Sequence, residues 1–166
     1  MINIRTKKMR DNAKLPKSHN GNWADCYNSV IGCVVPEALE NGKEFTFDDI
    51  DWYPDGLTYT KGDVIAVKLG FCMELPKGKE AYLMSRSGTF RKTGLILTNS
   101  VGLIDDSYCG DSDEWMGIFY ATREGHIDIG DRLLQMRIQD AMPKCTFEEV
   151  ETLNNEDRGS YGSTGK

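Results

Sequence analysis

No apolar run in the sequence approaches the roughly 20 residues that a membrane-crossing helix needs. The N-terminus, Met1 to Lys8, carries basic residues with no apolar core behind them, so no secretory leader is expected. Histidine is scarce, with only His19 and His126. The five cysteines (Cys26, Cys33, Cys72, Cys109, Cys145) are irregularly spaced and none forms a Cys-x-x-Cys pair. A zinc site and a disulfide framework are both disfavoured by this pattern. An odd cysteine count without a leader suits reduced thiols, and a cytoplasmic location is the expectation.

A basic excess is missing too. The net charge of −6 argues against a nucleic-acid polymer as the main ligand, because neutralising a phosphate backbone takes a basic face. A single nucleotide is a different matter. One triphosphate needs only a few well-placed donors and usually brings its own Mg²⁺. Proline is sparse at five residues against seventeen glycines, which favours many short strands joined by turns.

What is present is ordinary for one globular domain: 166 residues, 39% hydrophobic and 28% charged. The spacing predicts strands at Ile2 to Arg5, in a pair over Trp23 to Val35, and at Asp63 to Leu69 with an extension through Phe71 to Leu75. Further strands are predicted at Ala81 to Met84, Thr93 to Thr98, Trp115 to Thr122, Ile127 to Asp131, Leu133 to Ile138 and Cys145 to Glu151. Residues 36–62, acidic and aromatic, read as an insertion with a helical turn at Pro36. Residues 154–166, polar and rich in Gly and Ser, read as a mobile tail behind a domain of 1–153. The class is therefore all-β, a sandwich or barrel.

The chemistry concentrates in Val101 to Gly110. Leu103 and Ile104 are β-prone and run directly into Asp105 and Asp106, with Tyr108 and Gly110 following. This reads as a strand entering a hairpin, with an acid at the strand end. A strand end is a stiff mount for an acid that must be aimed. On its own, Asp-Asp-Ser is equally good turn chemistry.

Gly102-Leu103-Ile104-Asp105-x-x-Tyr108-x-Gly110 resembles the third motif of the trimeric dUTPase family. Asp25-Cys26-Tyr27 is similar to the first motif and Ser85-Arg86-Ser87-Gly88 to the second. Gly130 to Met136 is similar to the fourth and Arg158 to Gly165 to the fifth. Asp25-Cys26-Tyr27 departs from the usual Gly-Tyr-Asp-Leu, and the fifth motif has a shortened spacing with Tyr for the commoner Phe. The resemblance implies a jelly-roll-like β-barrel working as a homotrimer, with sites at subunit interfaces. It also implies hydrolysis of dUTP to dUMP and pyrophosphate, with Mg²⁺ held mainly by the substrate's phosphates and no direct protein ligand.

The family's roles carry over by residue. Asp105 would orient and polarise the attacking water, being ionised at neutral pH. Tyr108 would pack on the deoxyribose and exclude a 2′-hydroxyl by shape. Asn99, the main chain of Leu103, Ile104 and Asp105, and Met116 would line the uracil pocket. Arg86, Ser87, Gly88 and Gln135 would meet the phosphates, and Asp25 would support that region indirectly. In the tail, Tyr161 would stack on uracil, while Arg158, Ser163 and Thr164 would reach the outer phosphates. Asp106 is expected to face solvent, and Asp131 with Arg132 to form a structural ion pair. Two other readings stay open: a dCTP deaminase of the same fold, and a non-catalytic nucleotide-binding or regulatory protein.

Overall fold

The computed structural model describes residues 2–40 and 44–159. Its strands are β1 (Arg5–Lys8), β2 (Ala24–Cys26), β3 (Val30–Val34), β4 (Ile50–Tyr53), β5 (Gly56–Tyr59), β6 (Val64–Lys68) and β7 (Phe71–Glu74). They continue with β8 (Lys79–Ser85), β9 (Leu95–Leu97), β10 (Val101–Ile104), β11 (Met116–Ala121), β12 (Gly125–Asp128) and β13 (Leu134–Asp140). The helices are short: α1 (Pro36–Leu39) and α2 (Thr89–Thr93). The chain is all-β and jelly-roll-like.

Two sheets make the body, one of four strands in the order β10-β8-β13-β2 and one of five in the order β4-β3-β6-β11-β9. Two-stranded ribbons, β1-β7 and β12-β5, close the ends. Alternation decides which side chains turn inward. Along β13, Leu134 and Met136 are buried while Gln135 and Arg137 are not. Along β11, Gly117, Phe119 and Ala121 are buried between less buried neighbours. These inward positions join Ile31, Ile65, Leu69, Phe71, Leu83, Leu95 and Trp115 in one apolar cluster shared by both sheets. β6 departs from alternation because both its faces are covered. Ile65 and Val67 enter that cluster, while Ala66 on the opposite face joins Val34 and Ile50 in a second one.

Several expectations need correction. The first strand is Arg5–Lys8, not Ile2 to Arg5, because its register against β7 pairs Arg5 with Glu74 and Lys8 with Phe71. β2 and β3 do not pair with each other; β2 lies on β13, and β3 lies between β4 and β6. Phe71 to Leu75 does not extend β6, because Gly70 turns the chain at φ +79° and β7 joins another ribbon. Residues 36–62 are not a single excursion. β4 is laddered on β3 and β5 on β12, which leaves α1 and the turn Phe47–Asp49 as the part outside the ladders. The predicted strand over 145–151 is absent; this exposed segment has no ladder partner among the described residues. Arg158, also exposed, lies in the described part of the tail, whereas Tyr161, Ser163 and Thr164 lie outside the described residues.

Candidate active site

The Asp105 stretch is not a hairpin. β10 pairs with β8, whereas β11 is taken up by β6 and β9, so residues 105–115 cross from one sheet to the other. Where β10 and β11 part, a cleft of about 370 Å³ opens. Asn99, Leu103, Ile104, Asp105, Tyr108 and Met116 all line it, so six of the expected residues meet there. Leu103 is 73% exposed on this edge strand, an apolar surface open to a flat ligand or a second chain.

Asp105 is exposed and its carboxylate is organised by one neighbour. Its Oδ1 accepts a hydrogen bond from the Ser107 amide at 2.7 Å and another from the Ser107 hydroxyl. The Ser107 hydroxyl and amide together hold the carboxyl below the ordinary range for an aspartate. Both bonds fall on Oδ1, and no hydrogen bond to Oδ2 is made by the described residues. The turn ties Oδ1 through Ser107, an arrangement compatible with the turn reading and with the catalytic one.

Asp106 is half-buried and tied at the surface rather than free in solvent. It accepts from the Gly78 amide at 2.7 Å and from Lys77 Nζ at 3.2 Å, which anchors the crossing segment to the β7–β8 turn. Tyr108 donates its hydroxyl to the Glu114 carbonyl at 3.3 Å. The acidic stretch 111–114 is divided, since Asp111 is exposed but the Glu114 side chain is only 9% exposed. Trp115, 1% exposed, directly precedes β11 at the cleft wall, and its indole N–H has no partner among the described residues.

Of the residues expected at the phosphates, Arg86 and Gly88 line a second, separate cleft of about 290 Å³, together with Thr89, Lys92, His126 and Arg132, among others. Arg86 follows β8 and is fixed at both ends. Its amide donates to the Leu133 carbonyl at 3.0 Å, and its Nε donates to Asp25 Oδ1 at 2.6 Å. Asp25 Oδ2 accepts from Arg132 at 3.0 Å, so Arg132 pairs with Asp25 and not with Asp131. Asp131 is occupied locally, accepting the Asp128 amide at 3.0 Å. Asp25, buried on β2, therefore supports this region by orienting two guanidinium groups.

Ser87 is exposed in the turn after Arg86. A Cβ on Gly88 would meet only Lys92, at 3.7 Å, so packing does not demand glycine there. Gln135 lines neither cleft. On β13 opposite Asp25 and Met84, it donates to the Ser85 carbonyl at 3.2 Å. Lys92 and His126 were not anticipated from the sequence. Lys92 had a faint signal, one helical turn beyond Gly88, whereas His126 reaches this cleft only through the β12–β5 ribbon.

The donor chemistry of this cleft is cationic. No group of three or more His, Cys, Asp or Glu able to hold a metal occurs among the described residues. Such a cleft suits phosphate oxygens.

Residues 53–165 match the family model described as dUTPase. The chain belongs to the dUTPase family. Among relatives, it is 49% identical over 105 residues to the SPbeta prophage-derived deoxyuridine 5′-triphosphate nucleotidohydrolase of Bacillus subtilis, covering 63% of this chain and 74% of that protein. Among solved structures it resembles a mutant dUTPase of Staphylococcus bacteriophage 80alpha with dUpNHpp. That match has a TM-score of 0.69 at 17% identity and spans 100% of both chains. It also resembles a mutant dUTPase from phage phi11 of S. aureus, described with a structural Mg(II) ion, with a TM-score of 0.66 at 15% identity over 92% of this chain and 99% of that one. At these identities the structural likeness supports the dUTPase fold alone. The family match begins at Tyr53, the last residue of β4.

Proposed function

We propose that this member of the dUTPase family hydrolyses dUTP to dUMP and pyrophosphate, with the reacting groups divided between the two clefts. The observation that carries the reading is the pairing of an organised carboxylate, Asp105, with a nucleoside-sized cleft, while a preset arginine, Arg86, lines the other cleft. Asp105 takes a proton from a water as that water attacks the α-phosphorus. The bond from the α-phosphorus to the α,β-bridging oxygen breaks, and pyrophosphate leaves. Arg86, with Ser87 and the Gly88 amide, neutralises the charge that gathers on the phosphates. Mg²⁺ enters as part of the substrate, bound to its phosphates. Tyr108 lies against deoxyribose, and the main chain of β10 reads the uracil edge.

The two clefts share no lining residue, which is understandable if a nucleotide spans them across a subunit boundary. A homotrimer would bring the β10 edge of one protomer to the Arg86 cleft of another. It would also cover apolar side chains left exposed along the last described segment, Met142, Phe147, Val150 and Leu153. The tail residues Arg158, Tyr161, Ser163 and Thr164 would close over the bound nucleotide.

The deciding experiment mixes the protein with dUTP, dCTP, dTTP and UTP in Mg²⁺ and follows pyrophosphate and ammonia together. Pyrophosphate from dUTP, little from UTP and none after Asp105→Asn is the expected result. Ammonia from dCTP would overturn it in favour of a deaminase. Nucleotide binding with no turnover would leave a recognition role.

A further inference from the structure

Tyr108 stands on the crossing segment, where no ladder holds it, yet shape exclusion of a 2′-hydroxyl needs its ring placed to within about 0.5 Å. The structure supplies a chain of contacts that leads away from the cleft. The Tyr108 hydroxyl donates to the main-chain carbonyl of Glu114. The Glu114 side chain is 9% exposed, and both of its oxygens are engaged by Arg10. Arg10 Nη2 donates to Oε2 at 2.8 Å and Nη1 donates to Oε1, a two-pronged grip that lysine cannot reproduce. The Gly70 amide adds a third bond, to Oε1 at 2.9 Å.

The far end of this chain is anchored in the fold. Arg10 Nη1 also reaches Ser29 Oγ at 3.4 Å, and the Met9 amide donates to the Gly70 carbonyl at 2.8 Å. On the near side, the Trp115 amide donates to the Phe71 carbonyl at 3.1 Å and the Leu69 amide donates to the Trp115 carbonyl at 2.9 Å. Glu114 is therefore fixed at its side chain and at its next peptide. Its carbonyl is a rigid acceptor on an otherwise irregular segment.

We propose that Arg10 is a positioning residue for nucleotide selection: through Glu114 it sets the place of the Tyr108 ring, and so the rejection of ribonucleotides, without touching substrate. The inference rests on the reading of Tyr108 as the sugar-facing residue. Without Arg10, the nearly buried Glu114 carboxylate keeps only the Gly70 amide among these partners and has reason to rotate toward water. With the side-chain anchor gone, only the bond from the Trp115 amide to the Phe71 carbonyl holds the 114–115 peptide; the Glu114 carbonyl is less firmly placed, the tyrosine hydroxyl loses a fixed acceptor, and the ring gains room to admit a 2′-hydroxyl. The effect falls on UTP more than on dUTP, which a loss of general stability would not produce.

The test compares kcat/KM for dUTP and UTP in wild type, Arg10→Ala, Arg10→Lys, Tyr108→Phe and the Arg10→Ala/Tyr108→Phe double variant, with thermal melts alongside. Loss of one hydrogen bond predicts a fall of about fivefold in the dUTP/UTP ratio for Arg10→Ala, with kcat for dUTP held within about twofold. Tyr108→Phe should give a similar fall, and the double variant no more than the larger single one, since both cut the same chain. Arg10→Lys should restore part of the ratio. An unchanged ratio in Arg10→Ala, additive losses in the double variant, or parallel loss of both substrates with a lowered Tm would each overturn the proposal. If Arg10→Ala does not fold, Tyr108→Phe decides, because it removes only the hydroxyl; an unchanged ratio there breaks the chain at its first link. Tyr108→Ala tests the underlying reading separately. No change in that variant sinks the sugar-facing role itself, while a change there with none in Tyr108→Phe sinks only the Arg10 chain.

Discussion

Arg86 Nε donates to Asp25 Oδ1 at 2.6 Å, so a carboxylate 61 residues earlier in the chain presets the arginine that lines the second cleft. Arg132 takes the other oxygen of the same carboxylate at 3.0 Å. One acid thus keeps two cations close without mutual repulsion, and both guanidiniums retain free N–H groups for an anion.

Replacing Asp25 by Asn removes the negative charge and leaves Arg86 and Arg132 facing each other. The arginines are partly exposed, which softens the loss, and a cost of about 2 kcal/mol in stability is expected. Urea denaturation measures it. Turnover should fall mainly through a raised KM for dUTP, because the guanidiniums splay apart; an unaltered KM would contradict the orienting role.

The Asp105–Ser107 turn sets a pH limit. Ser107 bonds the ionised carboxylate and lowers its pKa, so the base stays charged at lower pH than an ordinary aspartate, whose pKa is about 3.9. The stabilisation from this pairing is present above the unfolded-state pKa and is lost as pH falls through the depressed folded value. The acid limb of kcat/KM for dUTP should accordingly lie below the ordinary Asp range. Ser107→Ala removes the hydroxyl bond and should move that limb upward, while Asp105→Asn abolishes turnover. A limb that stays in place in Ser107→Ala would mean another group governs it.

Two glycines make a paired test of fold against function. Gly70 has φ +79°, and a Cβ there would fall 2.5 Å from the Ala13 Cβ. Gly70→Ala should cost at least about 2 kcal/mol, from the left-handed backbone and the clash together. At Gly88 a Cβ would meet only Lys92, at 3.7 Å. Gly88→Ala should leave the melting temperature within about 2 °C of wild type while lowering kcat/KM for dUTP about tenfold, because the added methyl stands where a phosphate approaches the amide. A calorimetric scan with a pyrophosphate assay on the same sample reads both.

Ile50, 6% exposed, packs with Val34 and Ala66 on the outer face of the five-stranded sheet. If β4 belongs to the body of the fold, Ile50→Ala should cost about 2–4 kcal/mol. A cost below about 0.5 kcal/mol in urea titrations would return this segment to the status of a surface excursion.

The sequence by itself determined the class and the family. Period-two alternation at Leu134 to Arg137 and β-branched runs such as Val64 to Val67 identify strands, because burial of one or both faces leaves its mark residue by residue. The Gly-Leu-Ile-Asp and Ser-Arg-Ser-Gly stretches were legible because their chemistry is local. Partner choice was not legible. Whether β10 turns back on β11 or crosses to β8 depends on which edges the other strands have already taken, and that is settled by long-range pairing. For the same reason the sequence paired Arg132 with its neighbour Asp131, while the fold paired it with Asp25, 107 residues away. Nothing local to Glu114 marks it as inward-facing; the approach of Arg10 and Gly70, distant in the chain, holds its carboxylate. Local pattern specifies what a segment is; tertiary packing decides what it meets, because the energies of pairing belong to residues far apart in the chain.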